Sequence, residues 1–297
     1  MKDRSSRPDV GVLAFVTDRS MPLLELAQEV EARGFDALVL PEHTHIPLSS
    51  AEAFPDGEMP ERYRRTLDPY VALAVVAART GLAIGTCISL VAQHDPITLA
   101  KTVATLDLVS GGRFTLGVGY GWNVDELANH GRDPSRRRGI VTEHVALMRS
   151  LWRDELAEFR GEHATLAPSW AWPKPSAEAA VPVLLGCAPT ARGFESVVGW
   201  ADGWIPGGDD PELLAGWMVD LRTRWEAARR PGSPVVWAMR TVVDDATLAR
   251  HLDRYRSLGV DQVVLDVQAL SREELPAVLD RYADVVRDVL GEASASP

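Results

Sequence analysis

The sequence is short of cysteine, lysine, aromatic side chains and long apolar runs, and each shortage removes a class of protein. Only two cysteines occur among 297 residues, Cys87 and Cys187. Such a distant pair, in a chain with no export signal, is not expected to form a structural disulfide. Lysine appears three times (Lys2, Lys101, Lys174), and the formal charge is −11, from 31 basic against 42 acidic side chains. No segregated basic face of the kind a nucleic-acid binder presents can be found in that balance. The longest apolar stretch, Val71 to Ala78, is far below the roughly 20 residues that span a bilayer. Met1-Lys2-Asp3-Arg4 runs on into Ser, Arg and Pro rather than an apolar segment, so no signal peptide is expected. What remains is 46% hydrophobic, 25% charged and 7% aromatic, an ordinary globular composition. The expectation is a cytoplasmic protein that engages neither membrane nor nucleic acid.

One unit recurs: an amphipathic helix, a glycine, a short apolar strand, then a polar loop. Ser20 to Arg33 carries Leu23, Leu26, Ala27 and Val30 on one face, with Ser20 as N-cap, Pro22 in the first turn and Gly34 closing the helix. Asp244 or Asp245 opens a second such helix, which Gly259 closes. The phrases Arg33-Gly-Phe-Asp-Ala-Leu-Val-Leu40 and Leu258-Gly-Val-Asp-Gln-Val-Val-Leu265 are the same half-unit used twice. Strands are expected near Val10–Val16, Ala37–Leu40, Ala83–Thr86, Arg113–Val118, Pro182–Leu185, Gly203–Ile205, Val235–Met239 and Gln262–Val267. They are continuous apolar runs, as in a parallel sheet buried on both faces. Eight strands, each followed by a helical pattern, predict a (β/α)8 TIM barrel, with an open doubly wound sheet as the alternative. Two connections exceed plain barrel loops: His43–Arg65 after strand two, and Glu155–Ala180 before strand five. No linker divides the chain, so residues 1–297 read as a single domain.

A barrel places its active site at the C-terminal strand ends. Those positions carry Val16-Thr17-Asp18, Glu42-His43-Thr44-His45, Cys87-Ile88-Ser89, Gly119-Tyr120-Gly121-Trp122-Asn123, Gly186-Cys187-Ala188-Pro189-Thr190, Pro206-Gly207-Gly208, Arg240-Thr241 and Asp266-Val267-Gln268. Nucleophiles and metal ligands are scarce there, whereas glycine, small residues and aromatics abound. That suits a large planar cofactor needing close backbone approach. His43-x-His45 with Asp266 would begin a metal site, but the ends of strands five and six add no His or acid, so the ligand set is incomplete. His43, directly at the strand mouth, is the acid/base or hydrogen-bonding candidate; His45 reads as an exposed loop residue. The turn Gly186-Cys187-Ala188 before a helix suits either a phosphate or simply a tight connection. Arg136-Arg137-Arg138 reads as a solvated helix start, or as neutralising an anionic cofactor tail. Gly117-x-Gly119-x-Gly121 lacks the spacing of a dinucleotide fingerprint.

Longer phrases then carry a resemblance: Gly34-Phe35-Asp36-Ala37-Leu38 into Pro41-Glu42-His43; Asp68-Pro69; Gly81 to Thr86; Ala100-Lys101-Thr102; Leu106-Asp107-Leu108-Val109-Ser110-Gly111-Gly112-Arg113-Phe114. They continue with Gly117-Val118-Gly119-Tyr120-Gly121-Trp122 and Glu126, Pro173-Lys174-Pro175, Pro182 to Gly186, and Ala201-Asp202-Gly203-Trp204-Ile205-Pro206. In this order the chain resembles the luciferase-like monooxygenase superfamily, within it the F420-dependent oxidoreductase branch. The resemblance implies an insertion-bearing barrel holding coenzyme F420, or alternatively FMN, at its mouth. The ring would lie beside Glu42, His43, Cys87 and Ile88, with a cis Cys87–Ile88 peptide. The phosphate tail would lie near Gly186, Cys187 and Ala188, with Tyr120, Gly121 and Trp122 alongside. Val16 and Ser89 complete the expected cofactor-binding set. One departure is Trp122, where the sugar-phosphate dehydrogenase branch has a Glu; the role of that acid, and that substrate, stay open for this chain.

The implied activity is hydride transfer between the deazaflavin and a small organic substrate, with His43 catalytic. The alternatives are an FMN-dependent monooxygenase using O2 and a separate flavin reductase, and a non-catalytic flavin-binding barrel; a metal-dependent hydrolase is the outside choice. Trp170 to Trp172 and the loop from His45 to Arg65 suit a sizeable, partly apolar ligand, or core packing of the tryptophans. A homodimer is allowed by this reading and not required by it.

Overall fold

Apolar segments too short for helices become the staves of the barrel. The computed structural model describes residues 7–52, 54, 58–176 and 181–291. Its strands are β1 (Asp9–Leu13), β2 (Ala37–Leu40), β3 (Ala83–Ser89), β4 (Phe114–Gly119), β5 (Ala157–Arg160), β6 (Thr165–Ser169), β7 (Val183–Cys187), β8 (Gly203–Pro206), β9 (Val235–Thr241) and β10 (Gln262–Asp266). Its α-helices are α1 (Leu23–Ala32), α2 (Leu48–Glu52), α3 (Pro69–Arg79), α4 (Pro96–Ser110), α5 (Val124–Asn129), α6 (Arg137–Arg153), α7 (Ala191–Trp200), α8 (Pro211–Ala227), α9 (Asp245–Leu258) and α10 (Leu275–Leu290). Eight parallel strands close in the order β1-β2-β3-β4-β7-β8-β9-β10, and β10 returns to β1 in register, Val12 opposite Leu265. This is the expected (β/α)8 barrel. Parallel closure brings every C-terminal strand end to one mouth.

The interior of the barrel is solid. Leu13, Val39, Leu184, Ile205, Trp237 and Val264 pack against one another inside it, with Cys87, Ile88 and Met239 against them. A ligand therefore has room only above this plug. The wall beneath it is shaped by a break in the β3–β4 ladder between Thr86 and Ser89, where pairing skips Cys87 and Ile88. The Cys87–Ile88 peptide is cis, as expected. β4 can approach this irregular segment because it carries glycines. A Cβ on Gly117 would sit 2.1 Å from the Thr86 carbonyl oxygen, and one on Gly119 would sit 2.6 Å from Ile88 Cδ1.

Helix ends follow side-chain chemistry. Asp68, Asp95 and Asp244 each accept a backbone N–H from the first turn of α3, α4 and α9, and Gly259 ends α9 in the left-handed conformation. Ser20 does not cap α1. Pro22 occupies that position, and the Ser20 hydroxyl accepts from the Thr17 N–H instead. The two long connections also hold more structure than their sequence shows. The first contains α2 and a 3₁₀ turn at Glu61–Arg65. The second contains the antiparallel hairpin β5–β6, whose turn is organised by the Glu143 carboxylate accepting from the N–H groups of Glu162, His163 and Ala164. Few residues of this hairpin are buried, Ala157 and Leu166 among them, so it leaves no apolar run to read.

Candidate active site

Three adjoining cavities open at the barrel mouth. One of about 630 Å³ extends from Cys87 and Ile88 past Gly186–Ala188 to Asp266. A smaller one of about 260 Å³ holds His43, Tyr63, Tyr120 and Trp122 and shares Cys87, Ile88, Gly186 and Gln268 with the first. A third, about 600 Å³, lies beyond Phe15 and Gln268, toward Arg62.

His43 enters the smaller cavity directly after β2. Its Nδ1–H donates to the Glu126 carboxylate at 2.9 Å, and the other oxygen of Glu126 accepts the Thr44 N–H at 2.9 Å. Glu126 sits in the third position of α5, and the cap of that helix explains its aim. The Asn123 side chain accepts the Glu126 N–H, so Asn-x-x-Glu looks like a capping box. The Glu126 carboxylate, however, does not return to its own helix start; it turns inward, fully buried, onto the β2 loop. Burial alone would raise its pKa. The bond from His43 and the N–H groups of Thr44 and His45 outweigh burial and hold it below the ordinary carboxylate value. An ionised Glu126 fixes the proton of His43 on Nδ1 and leaves Nε2 as the exchanging nitrogen. Phe15, Tyr63 and Trp122 pack round the imidazole at centroid distances of 6.5, 5.3 and 5.7 Å. His45 turns away to Asn129 and Thr44, so His43 and His45 do not converge on one point.

The other expected site residues divide by position. Cys87, Ile88, Tyr120, Gly121, Trp122, Gly186, Cys187 and Ala188 line the first two cavities. Val16 does not; it packs into the core, and its neighbour Phe15 faces the mouth instead. Glu42 touches the smaller cavity, but its carboxylate serves the wall. It accepts from Ser89 Oγ at 2.8 Å, the Leu90 N–H at 2.6 Å and His94 Nε2 at 2.7 Å. Ser89 is fully buried and shares a 2.6 Å hydrogen bond with Tyr70. Glu42 and Ser89 thus brace the end of β3 from behind. Cys87 and Cys187 are free thiols. Burial, with the charge of Asp266, pushes the first up to about 12; burial pushes the second up to about 11. Both stay protonated at neutral pH.

The arginine run is not uniformly solvated. Arg136 is exposed and pairs with Glu162, but Arg138 stacks its guanidinium 4.3 Å from the centre of the Tyr120 ring. Its Nη1 and the Tyr120 hydroxyl are buried with no hydrogen-bond partner among the described residues. The positive charge of Arg138 is felt at the Cys187 thiol. Two orphaned donors thus lie beside the Gly186–Ala188 turn, where Thr190 caps α7. Buried donors of this kind are costly unless a ligand satisfies them.

The chain matches the luciferase-like monooxygenase family model over residues 10–288. It is also 40% identical over 278 residues to an uncharacterized protein of Mycobacterium tuberculosis, Rv0953c, covering 92% of this chain and 96% of that one. The chain belongs to the luciferase-like monooxygenase family. It is an enzyme of that family, and solved structures of similar fold span more than one chemistry. An F420-dependent secondary alcohol dehydrogenase, seen with an F420-acetone adduct, superposes with a TM-score of 0.75 at 18% identity, over 95% of this chain and 99% of that one. The FMN-bound oxygenating constituent of 3,6-diketocamphane monooxygenase from Pseudomonas putida gives 0.73 at 11%, over 98% and 100%. At such identities the likeness is one of fold. Among the described residues of this luciferase-like protein, no helix is long and apolar enough to cross a membrane.

Sequence reasoning missed Glu126 as a functional group, together with Phe15, Tyr63 and the neighbouring Phe54. The Asn123-x-x-Glu126 spacing points instead to a capping box, which the Glu126 carboxylate does not complete. The aromatics lie on loops whose path no local pattern reveals.

Proposed function

We propose that this protein is an F420-dependent oxidoreductase that exchanges a hydride between the deazaflavin and a small carbonyl or alcohol substrate, with His43 moving the accompanying proton. The observation that carries this reading is the His43–Glu126 pair: a buried carboxylate fixes one ring nitrogen and presents the other to the cavity above Cys87–Ile88. Chemistry in which a substrate oxygen gains or loses a proton uses such a nitrogen directly. The cavity residues fit the cofactor. Cys87 and Ile88 line the cavity floor, the glycines at 119 and 186 leave the room that the Ile88 side chain takes up there, and Arg138 with Tyr120 offers two unsatisfied donors to an anionic tail.

F420, when bound, supplies the two-electron hydride exchange. The protein does the rest. In the oxidation direction His43 Nε2 accepts the proton of the substrate hydroxyl as the C–H bond gives up its hydride; in reduction the same nitrogen returns a proton to the new alkoxide oxygen. Glu126 stabilises the imidazolium formed in the first case and holds the ring in place in both. Phe15, Tyr63 and Trp122 wall the substrate side.

Parallel titration of the purified protein with F420 and with FMN, followed by absorbance on reduction, tests the assignment. Tight F420 binding with weak or absent FMN binding is expected. The reverse result makes the protein an FMN-dependent oxygenase needing a separate reductase. Binding of neither points to the non-catalytic barrel.

A further inference from the structure

The third cavity ends on an arginine that makes no ion pair among the described residues. Arg62, in the turn after α2, lines that cavity with Phe15, Gln268 and three other arginines. Those three are engaged: Arg19 pairs with Glu61, Arg65 with Asp18 and Glu61, and Arg272 with Glu25. Arg62 instead lies over two rings, 5.7 Å from the centre of Phe15 and 5.5 Å from that of Tyr63. Its Nε is buried with no hydrogen-bond partner among the described residues. Of the acids on the same cavity, Glu61 is already shared among Arg19, Arg64 and Arg65, and Glu274 accepts the Ser271 N–H. Glu273 also lines this cavity, on its solvent side. Asp266, across Gln268, is close enough for its carboxyl to feel the charge of Arg62.

A guanidinium stacked on aromatic rings is held flat and keeps its N–H edge for a planar anion. Tyr63 lies beside both Arg62 and His43. The two centroid distances through it, 5.5 and 5.3 Å, together set the upper limit on the guanidinium–imidazole separation. A separation within that limit leaves room for at most one aromatic ring with a substituent at each end.

We infer that the substrate carries an anionic group, a carboxylate or a phosphate, which Arg62 binds while the group undergoing redox chemistry sits at His43. The inference rests on the proposed role of His43 for the reacting end. It adds the class of substrate: an oxo- or hydroxy-compound with an anion roughly one ring away, the body between them lying against Phe15, Tyr63 and Trp122.

The test is calorimetric titration of the cofactor-free protein with 4-acetylbenzoate and with its methyl ester, the same ketone with and without the anion. The acid is expected to bind about 10- to 100-fold more tightly than the ester, the usual range for a charge-assisted pair. In Arg62→Met that preference should vanish while the ester affinity stays within about threefold. Arg62→Lys, which keeps the charge and loses the planar fork, should retain part of it. Circular dichroism and melting temperature confirm that each variant is folded; should Arg62→Met not fold, the partial loss in Arg62→Lys is the deciding measurement. Equal affinities for acid and ester, no measurable binding of the acid, or an unchanged preference in the folded variants overturns the inference. An orthophosphate competition arm separates a phosphate preference from a carboxylate one. Because no cofactor is present, failure of F420 to bind elsewhere would overturn the cofactor assignment and leave this result intact.

Discussion

Glu126 lies 83 positions along the chain from His43, yet its carboxylate sits 2.9 Å from the imidazole Nδ1 while also accepting the Thr44 N–H. One acid thereby sets both the ring and the loop that carries it. Glu126→Gln keeps the shape and loses the charge, and a Gln amide can present either a donor or an acceptor to Nδ1. Turnover is expected to fall about 100-fold with cofactor affinity within about threefold. Nitrogen-15 spectra of the His43 ring give a readout that mere packing would not move. The wild type should show the neutral ring protonated on Nδ1, the variant a mixture of tautomers. A single unchanged tautomer with full turnover would remove Glu126 from the mechanism.

His43→Ala should lower kcat by about 10²- to 10⁴-fold, the usual worth of general acid–base help, and leave the dissociation constant of the cofactor within about tenfold. His45→Ala should change kcat little, because His45 faces Asn129 and Thr44 rather than the cavity. Steady-state kinetics on both variants decide the matter. Greater damage from the His45 change would reassign the proton carrier.

The barrel was readable because its signals are local and repeated. Gly34 and Gly259 end their helices with positive φ, and the strands after them are unbroken apolar runs, so the half-unit announces itself each time. Parallel closure then gathers the strand ends at one mouth, which is why His43, Cys87, Ile88 and Gly186 meet as expected. What escaped depends on single-residue register or on contacts far apart in the chain. β1 stops at Leu13, so Phe15 rather than Val16 reaches the site. The break in pairing between Thr86 and Ser89 turns Cys87 and Ile88 to the mouth and Ser89 behind it. Arg138 is drawn out of the arginine run by its stacking on Tyr120, which belongs to another loop.

Arg138 and Tyr120 make the next prediction. Their unpartnered Nη1 and hydroxyl should meet the anionic tail of the cofactor. Arg138→Met is expected to weaken F420 binding by about 10- to 100-fold and Tyr120→Phe by less, since a neutral donor contributes less than a charged one. Fluorescence titration at two salt concentrations gives the check, and the salt dependence should shrink in Arg138→Met. Turnover at saturating cofactor should stay near wild type. Unchanged affinity in both variants would place the tail elsewhere.

The pair formed by His94 and Glu42 should leave a mark on stability against pH. Burial tends to lower the pKa of His94, but the 2.7 Å hydrogen bond and the negative charge of Glu42 overcome it and raise the value above that of a free histidine. A raised folded-state value means that the folded protein binds this proton more tightly than the unfolded chain does. The stabilisation is therefore complete below the ordinary histidine pKa of about 6.5, and it is lost as pH rises through the folded value. His130, His144 and His251 are shifted down, chiefly by burial, and they drive the opposite trend, so the total curve alone is not informative. The difference between wild type and His94→Gln is. Urea denaturation from pH 5.5 to 9 should show that difference largest at the acid end and shrinking toward the alkaline end. The variant should also bind cofactor more weakly, because Glu42 braces Ser89 and Leu90 directly behind the Cys87–Ile88 floor. A difference that stays constant with pH would mean that the imidazole contributes packing and a neutral hydrogen bond only.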